Sequence, residues 1–404
     1  MAATACKEGE NMANFIFNPT TKVYFGKENL LSLGGEIAAC STKILLVYGG
    51  GSIKKNGIYD EVIAILQKAN VEITEFHGVE SNPRLSTVRR GTEAAKASGI
   101  GAVLAIGGGS VIDCAKAVAA GAVYEGDPWD LLSYKVPTEK ALPVFTVLTM
   151  SGTGSEMSSG SVITNEETKE KIGLDNPCLR PKASFLVPEF TYTVSPYQTA
   201  SGSADVISHF FDFYYFAKAD NLSMQRSIME SIMGTVVKYT PLALKEPDNY
   251  EARANLMWAA AWGCSAIADS FATGASMVLH FMEHELSAYY DVTHGHGLAI
   301  LMPRWMEYVS KDETMAKLFH RFGVNVMGVD KSLGEAEGIK ATIAALSHFL
   351  FDELGLKSRL SDLNIDDKHF DEMAEEACRL NGGTLQALVP LTAEDVVKIF
   401  KMCL

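Results

Sequence analysis

Asp205 and His209 stand four residues apart in SADVISHFFDFYY, and His280 and His284 repeat that spacing in HFMEHELSAYYDVTHGHG. Residues at i and i+4 share one face of an α-helix, so each pair can aim two donor groups at one point. His294 follows 14 residues after His280, beyond a YYDVTHG stretch that reads as the end of the helix. Four of the nine histidines fall between His280 and Gly297. A carboxylate and imidazoles converging from two helices suit a divalent transition metal such as Zn²⁺ or Fe²⁺. Three histidines and one carboxylate also leave a coordination position open for substrate or water. An i, i+4 histidine pair arises by chance as well, so spacing alone leaves a core or surface role open. His296 precedes Gly-Leu-Ala-Ile, which reads as a new helix start, and is at most an outer neighbour. His77, His320, His348 and His369 have no such company and read as ordinary core or surface residues.

A second kind of chemistry is written in glycine. GGGS occurs at residues 49–52 and again at 107–110, each time after a strand-like run, and SGTGSE at 151–156 follows a third. Glycine at a strand-to-helix turn lets the backbone approach a phosphate, and the helix start turns its unpaired N–H groups toward the anion. Gly49, Gly50, Gly51 and Ser52, then Gly108, Gly109 and Ser110, occupy such places, with Asp113 one turn into the second helix. Tight turns favour glycine without any ligand, and neither copy is the G-x-G-x-x-G fingerprint. Three such turns at predicted strand ends point to a bound nucleotide, because ligands of open α/β sheets gather at the carboxyl ends of the strands.

These groups need a scaffold. KILLVYGGG, VEITEFHGV, GAVLAIGGGS and PVFTVLTM read as strands, and 57–69, 85–98 and 111–124 carry helical apolar spacing between them. The alternation implies βαβ units and a parallel sheet. After VPEFTYTVSP (187–196) long helical periodicities take over, as in 222–243, 250–270 and 272–288. The chain therefore divides near residue 190 into an α/β domain (15–190) and an all-α domain (191–404) that carries the histidines. Residues 1–14 read as a disordered extension, and NFIFNPTTKVYFG (14–26) as an extended hairpin able to pair across a subunit boundary. Phe145, Phe190, Trp258, Trp262 and Phe271 are candidates for an apolar pocket or for the core.

The chain has 404 residues and a formal charge of −14, with no basic run. That balance excludes a nucleic-acid partner and disfavours an anionic membrane surface. No run of 18 apolar residues and no signal-peptide core occurs. The seven cysteines are scattered with no CxxC pair, which fits a reduced cytoplasmic protein.

GGGSVIDCAK (107–116), TMSGTGSEMSSGSVIT (149–164) and HFMEHELSAYYDVTHGHGLAI (280–300) resemble the iron-containing, group III alcohol dehydrogenases, in order and over nearly the whole chain. LLVYGGGSIKKNGIYDEV (45–62) and the C-terminal NGGTLQALVPLTAEDVVKIFKMCL are most similar to the NADPH-dependent butanol dehydrogenase and aldehyde reductase branch. The resemblance implies a Rossmann-like N-terminal domain and a helical C-terminal domain, the dehydroquinate synthase-like architecture. It implies one divalent metal, Fe²⁺ or Zn²⁺, on Asp205, His209, His280 and His294, with His284 beside the nicotinamide as a proton relay. It implies cofactor contacts at Gly108, Gly109, Ser110, Thr149 and Thr153, and at Asn82 and Lys171 near the nucleotide. Relatives that use NAD carry an acid after the first strand, which repels a 2′-phosphate. Here Gly49, Gly50, Gly51 and Ser52 stand there, followed by Lys54 and Lys55, so NADP(H) is expected over NAD(H). The implied activity is reversible hydride transfer on short primary alcohols and aldehydes such as butanol and butanal, in a homodimer. The alternatives are an NAD-linked glycerol or diol dehydrogenase of the same fold and a non-catalytic nucleotide- or metal-binding protein.

Overall fold

In a computed structural model the described residues are 18–212, 223–263 and 277–404. The expected extension at 1–14, Phe271, and parts of the helical stretches 250–270 and 272–288 lie outside them. The first part runs β1 (Lys22–Phe25), α1 (Leu33–Ala38), β2 (Lys43–Tyr48), α2 (Ser52–Lys55), α3 (Ile58–Lys68), β3 (Glu72–His77), α4 (Leu85–Ser98), β4 (Ala102–Gly107), α5 (Gly109–Gly121), α6 (Pro128–Leu132), β5 (Val144–Leu148), β6 (Gly160–Asn165), β7 (Glu170–Asp175) and β8 (Ala183–Leu186). The second part is helical: α7 (Pro196–Phe210), α8 (Ser223–Lys245), α9 (Tyr250–Gly263), α10 (Val278–Tyr290), α11 (His294–Val309), α12 (Glu313–Asn325), α13 (Glu335–Ser347), α14 (Phe370–Leu380) and α15 (Ala393–Met402).

Six strands form one parallel sheet in the order β1-β8-β5-β4-β2-β3. Its central strands are apolar on both faces, as Ala102–Gly107 illustrates with every residue buried. Helices cover both sides of such a strand, so its sequence reads as a continuous run and not an alternation. From β2 the chain moves outward to β3, then returns to β4 on the other side of β2. That reversal makes a crevice between the turns after β2 and β4, the place where open α/β sheets bind ligands. The three glycine-containing turns follow β2, β4 and β5, which are neighbours in the sheet.

Two differences from the sequence expectation matter. The stretch 14–26 does not form a hairpin among the described residues: Lys22–Phe25 is a single strand, parallel to Ala183–Leu186, because its partner arrives from far along the chain. A hairpin does form where none was expected. β6 and β7 pair antiparallel, Gly160 with Asp175 through Asn165 with Glu170. Its turn carries Lys169 at φ 58, a left-handed position where glycine or asparagine would have signalled the reversal.

Candidate active site

α7 supplies Asp205 and His209, α10 supplies His280 and His284, and the first residue of α11 is His294. α10 ends at Asp291 in a left-handed conformation (φ 54), which turns the chain so that α11 starts beside it. Gly295 then sets how close α11 comes to α7: a Cβ there would overlap the Ser201 carbonyl. The second glycine of the HGHG motif, Gly297, similarly admits Glu283, whose Cγ would lie 2.8 Å from an added Cβ.

The result is a common focus. Asp205 Oδ1 lies 3.7 Å from His209 Nε2, 3.9 Å from His280 Nε2 and 3.7 Å from His294 Nε2. Asp205 is 3% exposed and its Oδ1 has no hydrogen-bond partner. Ligands at about 2.0–2.2 Å around one divalent cation stand roughly 3.5 Å apart, close to these separations. Burial raises the Asp205 carboxyl pKa despite the pull of His294 and His280. Burial also holds His209 and His294 well below the ordinary histidine value, with Lys171 adding to the effect at His294. Burial lowers His280 too, but Asp212 and Asp205 raise it overall. Neutral imidazoles at His209 and His294, His280 held by Asp212, and a carboxylate short of compensation are the donor set a cation would complete.

Acids behind the histidines fix their rings, and the sequence reading did not single these acids out. Asp212 Oδ2 lies 2.7 Å from His280 Nδ1 and accepts the His280 N–H at 2.9 Å, while Oδ1 accepts the Leu279 N–H at 3.2 Å. It thereby caps α10 and turns Nε2 inward. Glu283 Oε2 contacts His294 Nδ1, and its other oxygen accepts from the Ser287 hydroxyl. Burial pushes Glu283 up to about 7 against the opposing Lys171 ammonium, 3.4 Å away. Carboxylates in this position orient ligating histidines. The signal for them was present: Asp212 follows His209 by three residues, and Glu283 precedes His284 directly.

His284 sits 5.6 Å, ring to ring, from His294 and 6.4 Å from His280. Burial first, then Lys171, holds its pKa well below the ordinary value, and the Lys171 main chain hydrogen-bonds its ring. Enclosure keeps the ring neutral. His296 points elsewhere, to Tyr197 at 3.0 Å and the Lys357 carbonyl at 2.9 Å.

The centre opens into a cavity of about 570 Å³, which Asn82, Ser110, Asp113, Thr153 and Lys171 also line. Lys171, on β7, reaches Asn82 Oδ1 at 3.3 Å and His294 Nδ1 at 3.3 Å. The Asp113 carboxylate is engaged by protein: Oδ1 accepts the Ser155 hydroxyl at 2.5 Å and Oδ2 the Val162 N–H at 3.0 Å. Gly108 caps α5, and a Cβ on Gly109 would overlap Thr153, so helix start and 151–156 loop meet closely. Thr149 donates its N–H to the Gly107 carbonyl at 3.0 Å. Gly49, Gly50, Gly51 and Ser52 follow β2 and are not among the residues lining that cavity; Gly51 stands at φ 95. Lys54 nearby is paired with Glu75 at 3.1 Å. Among the described aromatic candidates none lines that cavity: Phe145 and Phe190 are core, Trp258 and Trp262 meet edge to face, and Phe281 lines the cavity instead.

One buried cation holds this loop in place. Lys116 Nζ, fully buried, donates to Ser155 O (2.7 Å), Ser155 Oγ (2.8 Å), Ser158 O (2.9 Å) and Gly160 O (2.7 Å). It is the last residue of GGGSVIDCAK, two turns into α5.

Comparison with known proteins gives a coherent result. The iron-containing alcohol dehydrogenase family profile matches residues 19–188, and the C-terminal profile of the same family matches residues 199–404. NADH-dependent butanol dehydrogenase B of Clostridium acetobutylicum is 44% identical over 390 residues, 96% of this chain and 99% of that protein. An NADPH-dependent aldehyde reductase of Escherichia coli is 34% identical over 359 residues, 88% of this chain and 90% of that protein. The crystal structure of NADH-dependent butanol dehydrogenase A from Thermotoga maritima superposes with a TM-score of 0.92 at 40% identity, covering 98% of this chain and 100% of that one. This chain belongs to the iron-containing alcohol dehydrogenase family, whose members bind NAD(P) and a divalent metal, and is an NAD(P)-linked oxidoreductase of alcohols and aldehydes.

Proposed function

We propose that Asp205, His209, His280 and His294 hold one divalent cation, Fe²⁺ or Zn²⁺, at the floor of the cavity, and that the enzyme interconverts short primary alcohols and aldehydes such as butanol and butanal. The convergence of three Nε2 atoms on one unpartnered carboxylate oxygen carries this reading. When bound, the cation supplies Lewis-acid polarisation of a carbonyl oxygen, and the reduced nicotinamide supplies the hydride. The protein's own contribution is positional. Asp212 and Glu283 fix the imidazole rings. His284 stays neutral beside them, with one ring nitrogen tied to the Lys171 main chain and the other a bare acceptor able to take the hydroxyl proton when the alcohol is oxidised. Ser110, Asn82, Thr153 and the glycine turns after β2 and β4 form the path for the nucleotide, with Gly108 and Gly109 at the pyrophosphate and Thr149 at the ribose. Asp113, which lines the cavity, also holds the loop through Ser155 and Val162.

Cofactor choice follows from the turn after β2. No carboxylate stands there, so NADP(H) is proposed over NAD(H). Two features pull toward NADH: Glu75 neutralises Lys54, and the relative of 44% identity is named NADH-dependent. The ratio of kcat/KM for NADPH and NADH decides, and a ratio at or below one overturns the preference. We further propose a two-domain chain divided near residue 190, a cytoplasmic location, and a homodimer that uses the β1 edge of the sheet. Bound metal per chain in His280→Ala and His294→Ala tests the ligand set. Each is expected to lose metal and activity together, and full activity in either would refute the assignment.

A further inference from the structure

A second, small cavity of about 20 Å³ shares no lining residue with the large one. Thr199, Gly202, Ser203 and Val206 line it as one stripe of α7, together with Ser151 from the 151–156 loop and Arg253 from α9. Arg253 is 4% exposed, yet among the described residues no carboxylate pairs with it. Its Nε donates to the Pro247 carbonyl at 2.8 Å and its Nη1 to Thr199 Oγ1 at 2.9 Å, both neutral acceptors. Nη2 has no acceptor among the described residues, and it is not sealed in, since it keeps accessible surface. Burial lowers the guanidinium pKa, with only Tyr192 acting against it. A guanidinium stays charged all the same, and a buried charge without an opposite one is costly.

Size and charge together select the occupant. One water-sized particle needs about 10–15 Å³ of such space, so this cavity takes a single monatomic ion or a single water and excludes phosphate, sulfate and organic acids. The Thr199 oxygen already accepts from Nη1, which leaves its hydrogen to donate, and Ser151 brings another hydroxyl. Such donors beside an uncompensated cation suit a group that only accepts and carries one negative charge. We propose that the cavity is a halide site that takes one chloride against Arg253 Nη2. The ion joins α9 to the loop at Ser151 and to α7, the helix that bears Asp205 and His209.

Two measurements on the metal-loaded enzyme test this. Crystals in sodium bromide locate the halide by its anomalous signal, and the expected result is one peak in this cavity in contact with Nη2, lost in Arg253→Met. In solution, sodium chloride replaces sodium gluconate at constant ionic strength while chemical unfolding is followed. Chloride at about a hundred times its dissociation constant raises the folded-to-unfolded ratio of wild type about a hundredfold, and Arg253→Met shows no such rise. A cavity without bromide, equal wild-type stability in the two salts, or an equal chloride response in Arg253→Met overturns the inference. A bromide peak without the response in solution overturns it too, as binding at crystal concentration only. Should Arg253→Met not fold, the wild-type peak and the wild-type titration decide by themselves.

Discussion

Replacing Asp212 with Asn isolates the orienting role of a carboxylate that never meets the cation. The native side chain makes two distinct kinds of contact: Oδ2 with the Nδ1 and N–H of His280, and Oδ1 with the N–H of Leu279. An asparagine can place its carbonyl oxygen where Oδ2 was, keeping the His280 contacts as neutral ones. Its NH₂ group then opposes the Leu279 N–H and loses that bond. The lost helix cap predicts about 1 kcal/mol less stability in the metal-free protein. The weaker hold on the imidazole predicts a further loss of roughly 10–100-fold in metal affinity, which is about 1.4–2.7 kcal/mol. Competition of Fe²⁺ or Zn²⁺ against a chelator gives the affinity, and chemical unfolding of the metal-free protein gives the stability. A destabilised protein whose metal affinity stays within about threefold of wild type would show that Asp212 only caps α10, and the orientation argument would be wrong.

Other perturbations probe the scaffold. Gly295→Ala drives a methyl into the Ser201 carbonyl, so overpacking should cost about 1–3 kcal/mol in unfolding measurements and weaken metal binding too. Lys116→Met leaves acceptors at Ser155, Ser158 and Gly160 without their donor; at about 1–3 kcal/mol each, at least 3 kcal/mol of stability should be lost, with KM for the cofactor raised as the loop loosens. Burial lifts the Glu156 carboxyl from its ordinary 4.5 to about 7. The folded protein then holds a proton that the unfolded chain releases, so this contribution is complete below pH 4.5 and is lost as pH rises to about 7, by no more than roughly 3 kcal/mol. Glu156→Gln should flatten that part of the stability profile, and an identical slope in the variant would contradict the assignment. His284→Ala should slow turnover and alter its pH profile while bound metal stays constant; unchanged kinetics would remove it from the proton path.

Part of the cluster was legible because helical spacing puts Asp205 on one face with His209 and His280 with His284, whereas His294 joins them through the turn at Asp291. The parallel sheet was legible because strand-like runs alternate with helical spacing, and its central strands are apolar on both faces. What spacing could not reveal was distance in sequence: Asp212 orients His280 from 68 residues away, and Lys116 ties a loop 39 to 44 residues downstream. The β6–β7 hairpin escaped because Lys169 takes the left-handed turn position with no sequence signal. It also explains Lys171, whose ammonium belongs to the His294–Glu283 cluster. The lowered pKa of His284 was not legible for a related reason, since burial is a property of the assembled cavity and not of the residue.

Reconstitution tests the central claim most directly. Protein stripped of metal should bind NADPH or NADH yet leave butanal unreduced, and one equivalent of Fe²⁺ or Zn²⁺ should restore the rate, except in Asp205→Asn. Equal rates with and without the cation would contradict a catalytic centre at Asp205, His209, His280 and His294.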